Sequence, residues 1–600
     1  MATGATEAQS NPANFDTVIN VPDDQPTFEG FVVGGMQVNV GPGGTTGDGV
    51  GVASIFEPFA PAELNILGGH AGDGLNGLNG TFRLVEGSLG DAAEFTDSHV
   101  IIEGGTVGDL LTLAGGTFTQ TGGVIGNFRD PTAWMTPLTT LREAEVNIQG
   151  AEVRSTTDLI EVDLAVSDGV FWERIDLRHS NATISGSASF VGSLNVEGSD
   201  VIMTGGHLGN RPNFGDGVLD QPDRRSTFVW SGGRIAGYAE FELGKFEIIG
   251  TDFEVHDLIP QEREIVTGRL ADGTALILEA PAGALRFGDD RNWKLTRAGL
   301  SLPPTPLAQV VTSGTTGEQG LFGGQSLTLA GTASVPADVS IVGSKLLVLD
   351  DAVVDGGLEA FGSEVTIRGG RIGGTAPHPQ RPLYRLEGIT AYAHSKIHVE
   401  AGTLFSADIY DSTASLSGGK FERTVRLERS ELDISGGEFR GISAFTSDVT
   451  MTGGEGGSIS LTDATLHMTG GWLTAISARS GGHITLAGGS VDEIFLAEDT
   501  DFDLIARKFL IDGQPVTDLL LDTPRLIEDR EITITGLYLD GTRFEWQIPQ
   551  EITSDIRIIL IPEPSAVALA AAGLGLLSRR PRRDPASEVW ASRTPRPARP

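Results

Sequence analysis

The chain has 600 residues, more than one compact core holds, so length alone predicts several domains or an elongated repeat. A formal charge of −38 repels nucleic acid and anionic lipid, which disfavours a nucleic-acid-binding role and suits a soluble exported protein. The absence of cysteine excludes disulfides, thiol nucleophiles and cysteine-ligated metals, and 82 glycines without a Gly-X-Y period exclude collagen and point to a glycine-punctuated repeat.

Residues 1–26 carry Asp16, Asp23 and Asp24 but no basic or apolar region of a secretory signal peptide, and are expected to be disordered. From residue 27 to 250 a short phrase recurs, two apolar residues separated by one residue and followed by glycine: Val100/Ile102 before Gly104, Leu111/Leu113 before Gly115, Val146/Ile148 before Gly150, Val201/Met203 before Gly205 and Phe228/Trp230 before Gly232. The alternation predicts strands with one buried face, and the glycine supplies positive φ where the chain turns out of each strand. Between phrases, segment 210–225 is rich in Pro, Asp and Arg and reads as a surface insertion. Gly68-Gly69-His70-Ala71-Gly72-Asp73-Gly74-Leu75 comes near a calcium-binding nonapeptide, with Ala71 in place of its third glycine and no tandem copy to complete an ion site.

Residues 251–300 read as a β cap, with Asp272-Gly273 between β-rich runs as a hairpin signal. Residues 301–308, opening Ser301-Leu302-Pro303-Pro304, read as a linker. A second array spans 309–499, starting irregularly with Val365/Ile367 before Gly369 and an insertion at 375–385. It then becomes regular, with first glycines at 418, 436, 453, 470 and 488. A step of 17 or 18 residues is too short for a two-helix unit and fits one coil of a β-solenoid. The polar residues between the apolar pairs, Ser415, Asp433, Thr450, His467 and Thr485, are expected to form an outward row.

Residues 500–561 repeat the first cap. Thr251-Asp252-Phe253 and Asp272-Gly273-Thr274 have counterparts in Thr500-Asp501-Phe502 and Asp540-Gly541-Thr542. The expected fold is all-β: two tandem parallel β-solenoid (β-helix) modules, each closed by a β-hairpin cap, plus a short C-terminal hydrophobic helix. This layout resembles exported bacterial repeat proteins built from V-x-I-S-G-G coils and closed by a TDF…DG cap.

The chain then reads Pro562-Glu563-Pro564, an apolar run over 566–577, and the basic cluster Arg579, Arg580, Arg582 and Arg583. Twelve helical residues span roughly 18 Å, short of the ~30 Å hydrocarbon core of a membrane. The arginines favour the cytoplasmic side, which leaves everything before the run outside. Residues 562–583 thereby resemble the PEP-CTERM sorting signal, in which this order directs exported proteins to an exosortase that removes the tail. The resemblance implies an exosortase-type processing enzyme as partner, transient membrane contact through 566–577, and a bacterial cell-surface or extracellular location. The apolar run here is rich in Ala and Gly, and a disordered basic tail, 584–600, continues past the arginines. An export address without a matching N-terminal signal leads us to expect a native start codon upstream.

No P-loop, HExxH or GxSxG pattern occurs. Asp350, Asp351 and Asp355, and Glu498, Asp499, Asp501 and Asp503, read as solubilising turn acids. His70 and His467 read as exposed, and Trp230 and Trp472 as plugs beside glycine turns. These readings predict a non-enzymatic structural, matrix or adhesive protein with no cofactor. The alternative is a carbohydrate-active or carbohydrate-binding β-helix of the polysaccharide lyase or glycosidase type, with extracellular polysaccharide as its partner.

Overall fold

The computed structural model describes residues 15–54, 60–127, 138–209, 226–235, 244–259, 263–281, 285–287, 293–298, 307–317, 319–335, 339–374, 388–497, 499–517, 519–529, 531–548 and 554–561. The insertions at 210–225 and 375–385, segment 301–306 and the sorting signal with Pro562, Glu563, Pro564, Arg579, Arg580, Arg582 and Arg583 lie outside them. Among the described residues the protein is all-β, without a helix, and its strands form sheets of 30 and 25 strands that meet at no hydrogen-bonded ladder. By internal contacts the chain divides into two compact units, Met1–Thr450 with Gly454–Ser460, and Met451–Gly453 with Leu461–Pro600.

The coils are three-sided and stack in parallel. In the first unit one ladder runs through Leu138–Arg142, Thr156–Ile160, Ile175–Arg178 and Leu194–Glu197. A second runs through Glu145–Ile148, Asp163–Val166, Asn181–Ile184 and Asp200–Leu208, and a third through Ala151–Val153, Gly169–Phe171 and Ser189–Phe190. The β-solenoid expected from the glycine spacing is therefore present, and in each coil the apolar members of the phrase face inward: Val146, Val201, Met203, Val365 and Ile367 are fully buried.

In the regular array from Gly418 to Gly489 the two glycines of each pair do different jobs. The second takes positive φ, 71° at Gly419 and 78° at Gly437. The first does not, and is small because a Cβ there would lie 2.3 Å from the Glu400 carbonyl oxygen at Gly418 and 2.5 Å from that of Ser417 at Gly436. One glycine is fixed by conformation and the other by the approach of the preceding coil.

A buried serine marks the corner before the phrase. Ser344, Ser363, Ser395, Ser412, Ser430 and Ser447 are each at most 3% exposed. The backbone N–H of each of the first five donates to the hydroxyl of the next, at 3.0–3.2 Å. Each Ser hydroxyl from 363 to 430 has a carbonyl within reach on its own coil, as Ser430 has at Glu428, 2.8 Å away. The residue before the serine lies in the left-handed region at His394, Asp411, Arg429 and Thr446, which tightens the corner and presents the amide to its acceptor. Ser180 and Ser199 repeat the device in the earlier sheet.

Three expectations are corrected. Thr17–Val21, inside the segment expected to be disordered, is a strand paired in parallel with Met36–Val40, because its alternating Ile19 and Val21 meet the next rung. Leu111 and Leu113 are buried, yet they belong to a different face from Val100 and Ile102; the true counterparts are Phe118 and Gln120. Gln120 hides the pattern because a polar residue fills a fully buried position, its amide donating to the Gly122 carbonyl at 3.2 Å.

The third correction concerns the caps. Lys245–Ile259 pairs antiparallel with Arg263–Leu270, which turns through Asp272-Gly273 into Ala275–Pro281, and Trp293–Arg297 returns in parallel. Asp501–Ile511, Ile532–Tyr538, Arg543–Ile548 and Asp555–Leu560 repeat that order. Gly250 faces Leu270 and Ala506 faces Tyr538, each partner two residues before the Asp-Gly turn. Aligned this way, Phe253 corresponds to Phe509 and Phe502 to Phe246, so the two Thr-Asp-Phe triplets are not equivalent. The real equivalence is apolar packing of all four phenylalanines, 8% exposed or less.

Each Asp-Gly-Thr turn docks on the last Gly-Gly turn of its array. Gly233 N–H donates to Asp272 Oδ2 at 2.9 Å, and Gly489 N–H to Asp540 Oδ2 at 3.0 Å. The same carboxylates accept from their own Thr274 and Thr542 through backbone and hydroxyl. In an interior coil a neighbouring rung would cover that glycine pair; at the end the aspartate supplies the acceptor.

Within the first unit the outer face of the 263–281 hairpin is also covered. Ile265 and Ile277 pack into one cluster with Val342 and Tyr392, with Phe322 and Phe361 alongside. The His256 ring lies tilted by 39° against Phe361 with centroids 4.4 Å apart, and Gln319 donates to the Asp272 carbonyl at 2.8 Å. At the corresponding positions of the second hairpin stand Thr533 and Glu545, which are not buried.

Candidate functional site

The expected outward row begins as foreseen in the first unit, where Thr366, His398, Ser415 and Asp433 stand in register. His398 Nδ1 lies 2.9 Å from Ser415 Oγ. In the second unit His467, Thr485, Asp503 and Arg557 are aligned. His467 is half-buried rather than exposed, and burial pulls its pKa below the ordinary value. His70 is exposed, with Nδ1 2.8 Å from Ser88 Oγ.

Asp501 and Asp503 are not turn acids. They sit in the strand that follows the last regular coil, and with His483 and Arg557 they form a charged cluster. His483 Nε2 is 3.2 Å from Asp503 Oδ2, its Nδ1 is 3.7 Å from Asp501 Oδ2, and Arg557 bridges both carboxylates. The hydrogen bond to Asp503 raises the His483 pKa above its ordinary value against the opposing effect of burial. Burial pushes Asp503 up, but His483 and Arg557 together outweigh it and hold the carboxyl low. A carboxylate held ionised by the Arg557 guanidinium and the His483 hydrogen bond is a structural ion-pair partner and a poor general acid. Glu498 lies outside the described residues, while Asp350 occupies a left-handed turn position and accepts from Gly331 N–H at 3.4 Å.

The near-nonapeptide contributes to a ladder that sequence reading missed. Asp48, Asp73, Asp91 and Asp109 stack at one corner, and the Oδ1 of each accepts the backbone N–H of the next rung, ending at Asn127, at 2.8–3.1 Å. A Cβ on Gly90 or Gly108 would fall 2.2 Å from the preceding aspartate oxygen. The signal was the recurring Gly-Asp of Gly72-Asp73, Gly90-Asp91 and Gly108-Asp109. Asp73 thus acts on a backbone amide, and among the described residues no group of three His, Cys, Asp or Glu is placed to hold a metal ion.

The tryptophans divide. Trp230 is 2% exposed and donates to the Gly232 carbonyl at 3.1 Å, which makes it the turn plug expected. Trp472 is 40% exposed and donates to Asp492 at 3.2 Å, so it is a surface residue. Beside Asp492 a cavity of about 320 Å³ opens at the end of the core. Its floor includes Ile494, Leu496 and Phe502; in the preceding rung Ile476 and Ala478, which pair with Ile494 and Leu496, are fully buried. Trp546 stands against the floor, its indole N–H donating to the buried Tyr538 hydroxyl at 3.1 Å, and Glu545 and Gln547 complete the rim. Burial is the main cause that lifts the Tyr538 pKa far above its ordinary value, so its hydroxyl stays neutral.

No family model, curated protein or solved structure matches this chain.

Proposed function

We propose that the protein is an exported bacterial surface or matrix component, a non-enzymatic structural or adhesive β-solenoid made of two tandem modules, each closed by its own cap. The observation that carries this reading is the paired cap: an Asp-Gly-Thr hairpin whose carboxylate caps the last Gly-Gly turn, at Asp272 and again at Asp540. Such ends terminate a parallel stack and block edge-to-edge growth, as a soluble secreted repeat protein requires. The residue order from Pro562 to Arg583 supplies the address, with 566–577 as a short hydrophobic helix and an exosortase-type enzyme as the processing partner. Replacing Pro562 and Pro564 with alanine tests it: the variant is expected to remain unprocessed and cell-associated, whereas normal processing and delivery would refute the address.

A carbohydrate-binding role is the second reading, favoured by the cavity beside Trp546. A reducing-sugar assay on polysaccharides separates it from carbohydrate-active chemistry, since release of reducing ends would overturn the non-enzymatic reading.

A further inference from the structure

We infer that the cavity bounded by Asp492, Trp546, Glu545 and Gln547 is a binding site for a neutral hexose oligosaccharide. The inference gives the adhesive reading a site and a ligand class, and it rests on that reading only for its biological use. Three observations carry it.

The first is shape. A cavity of about 320 Å³ falls at the lower end of the ~300–1,000 Å³ range of small-molecule sites and is open enough to admit a chain end or a short stretch of polymer.

The second is the division of surface. A pyranose presents apolar C–H faces and a rim of hydroxyls. Here the apolar floor of Ile494, Leu496 and Phe502 meets an indole wall, and the acceptors Asp492, Glu545 and Gln547 stand at the rim. The Trp546 indole has its polar end tied down on Tyr538, and the Trp472 indole N–H, from outside the cavity, holds Asp492, so one ring plane and one rim carboxylate are set before a ligand arrives. Pre-set aromatic faces lose little entropy on binding. Glu545 and Gln547 make no side-chain hydrogen bond or ion pair among the described residues, which leaves their polar atoms for hydroxyl groups.

The third is charge. The rim carries carboxylates and no basic side chain lines the cavity, on a chain with net charge −38. Uronic-acid polymers are therefore repelled, and hydroxyl donors are matched to ionised acceptors. The position of Glu545 adds a comparison within the molecule. Its counterpart in the first hairpin is Ile277, 4% exposed and packed with Val342 and Tyr392, whereas Glu545 is exposed among the described residues.

Intrinsic tryptophan fluorescence and isothermal titration calorimetry on the full chain, with cellohexaose, laminarihexaose and mannohexaose, test the site. Hexagalacturonate serves as the charged comparator. At least one neutral hexamer is expected to bind, and Trp546→Ala is expected to weaken it by about tenfold or more. Because Trp546→Ala removes a contact of the cap, Asp492→Asn and Glu545→Gln, both at exposed positions, report on the site without that risk; each is expected to weaken binding severalfold. No binding of any neutral hexamer, tighter binding of hexagalacturonate than of every neutral hexamer, or unchanged affinity in both Asp492→Asn and Glu545→Gln would overturn the assignment. The site and the export reading fail separately: a protein delivered to the surface that binds none of these sugars sinks the site alone, and one that binds them but is never exported sinks the address alone.

Discussion

Replacing Ser430 with alanine puts the serine ladder to a quantitative test. The Ser430 hydroxyl accepts the Ser412 backbone N–H at 3.2 Å and has its one proton within reach of the Glu428 and Ile409 carbonyls, 2.8 and 3.0 Å away, in a corner 3% exposed. Alanine fits the space, so the cost is polar: the Ser412 amide and at least one carbonyl lose a partner away from water. An unsatisfied buried group costs about 1–3 kcal/mol, which predicts a loss of that size in local stability. A change of about 1.4 kcal/mol is tenfold in an equilibrium constant, so the Ser412 amide should exchange with deuterium roughly ten- to a hundredfold faster. Hydrogen exchange read by mass spectrometry on peptides spanning 405–450 measures this directly. Ser415→Ala, on the outward row one rung back, is the matched control and should stay within about 0.5 kcal/mol of wild type. If Ser430→Ala and Ser415→Ala exchange alike, the ladder contributes nothing to stability and its alignment is incidental.

Further outcomes follow from the caps and from two histidines. Asp540→Ala strips the acceptor from the Gly489 and Thr542 amides and should destabilise the C-terminal cap by about 1–3 kcal/mol, with Asp540→Asn losing less; thermal melts followed by circular dichroism would detect it. Ile277→Ala should cost about 2–4 kcal/mol at the covered hairpin face, and Ile277→Glu more, because a buried charge without a partner is added to the lost packing; limited proteolysis near 282–307 should accelerate in the same order. Burial holds His256 below its ordinary value of 6.5, so the unfolded chain takes up a proton first and stability falls as the pH drops through about 6.5. His483 has the opposite sign: Asp503 raises its pKa, so its stabilisation is full below about 6.5 and fades as the pH rises through the raised value. Melts of His256→Gln and His483→Gln between about pH 5 and pH 8 should therefore shift the pH dependence in opposite directions.

The array was legible because glycine cannot be replaced where coils approach within 2.5 Å of a Cβ, so Gly418 and Gly436 keep time in the sequence as well as in space. The third side of the coil was not legible, since strands such as Ser189–Phe190 are two residues long and carry no alternation to detect. Gln120 broke the pattern by burying an amide in a core position, and the serines escaped notice because a buried serine looks like a surface one until its partner amide is known. In the caps the Asp-Gly turn was readable from local chemistry, whereas the Thr-Asp-Phe register was misread because each cap buries two phenylalanines and the triplet holds the second in one cap and the first in the other. The site at Trp546 depended on which strand ends the stack, a property of the three-dimensional order alone. Trp472 looked like a plug by analogy with Trp230, and differs because Asp492 holds it at the surface.

The address and the arrays meet in the mature polypeptide. Intact mass of the protein recovered from the surface or medium of its native host is the most direct test. The account predicts a C-terminus within residues 562–583, with the arginine cluster and the tail after it removed and both capped arrays retained. A mature protein that still carries residues 584–600, or one recovered only from the cytoplasm, would contradict it.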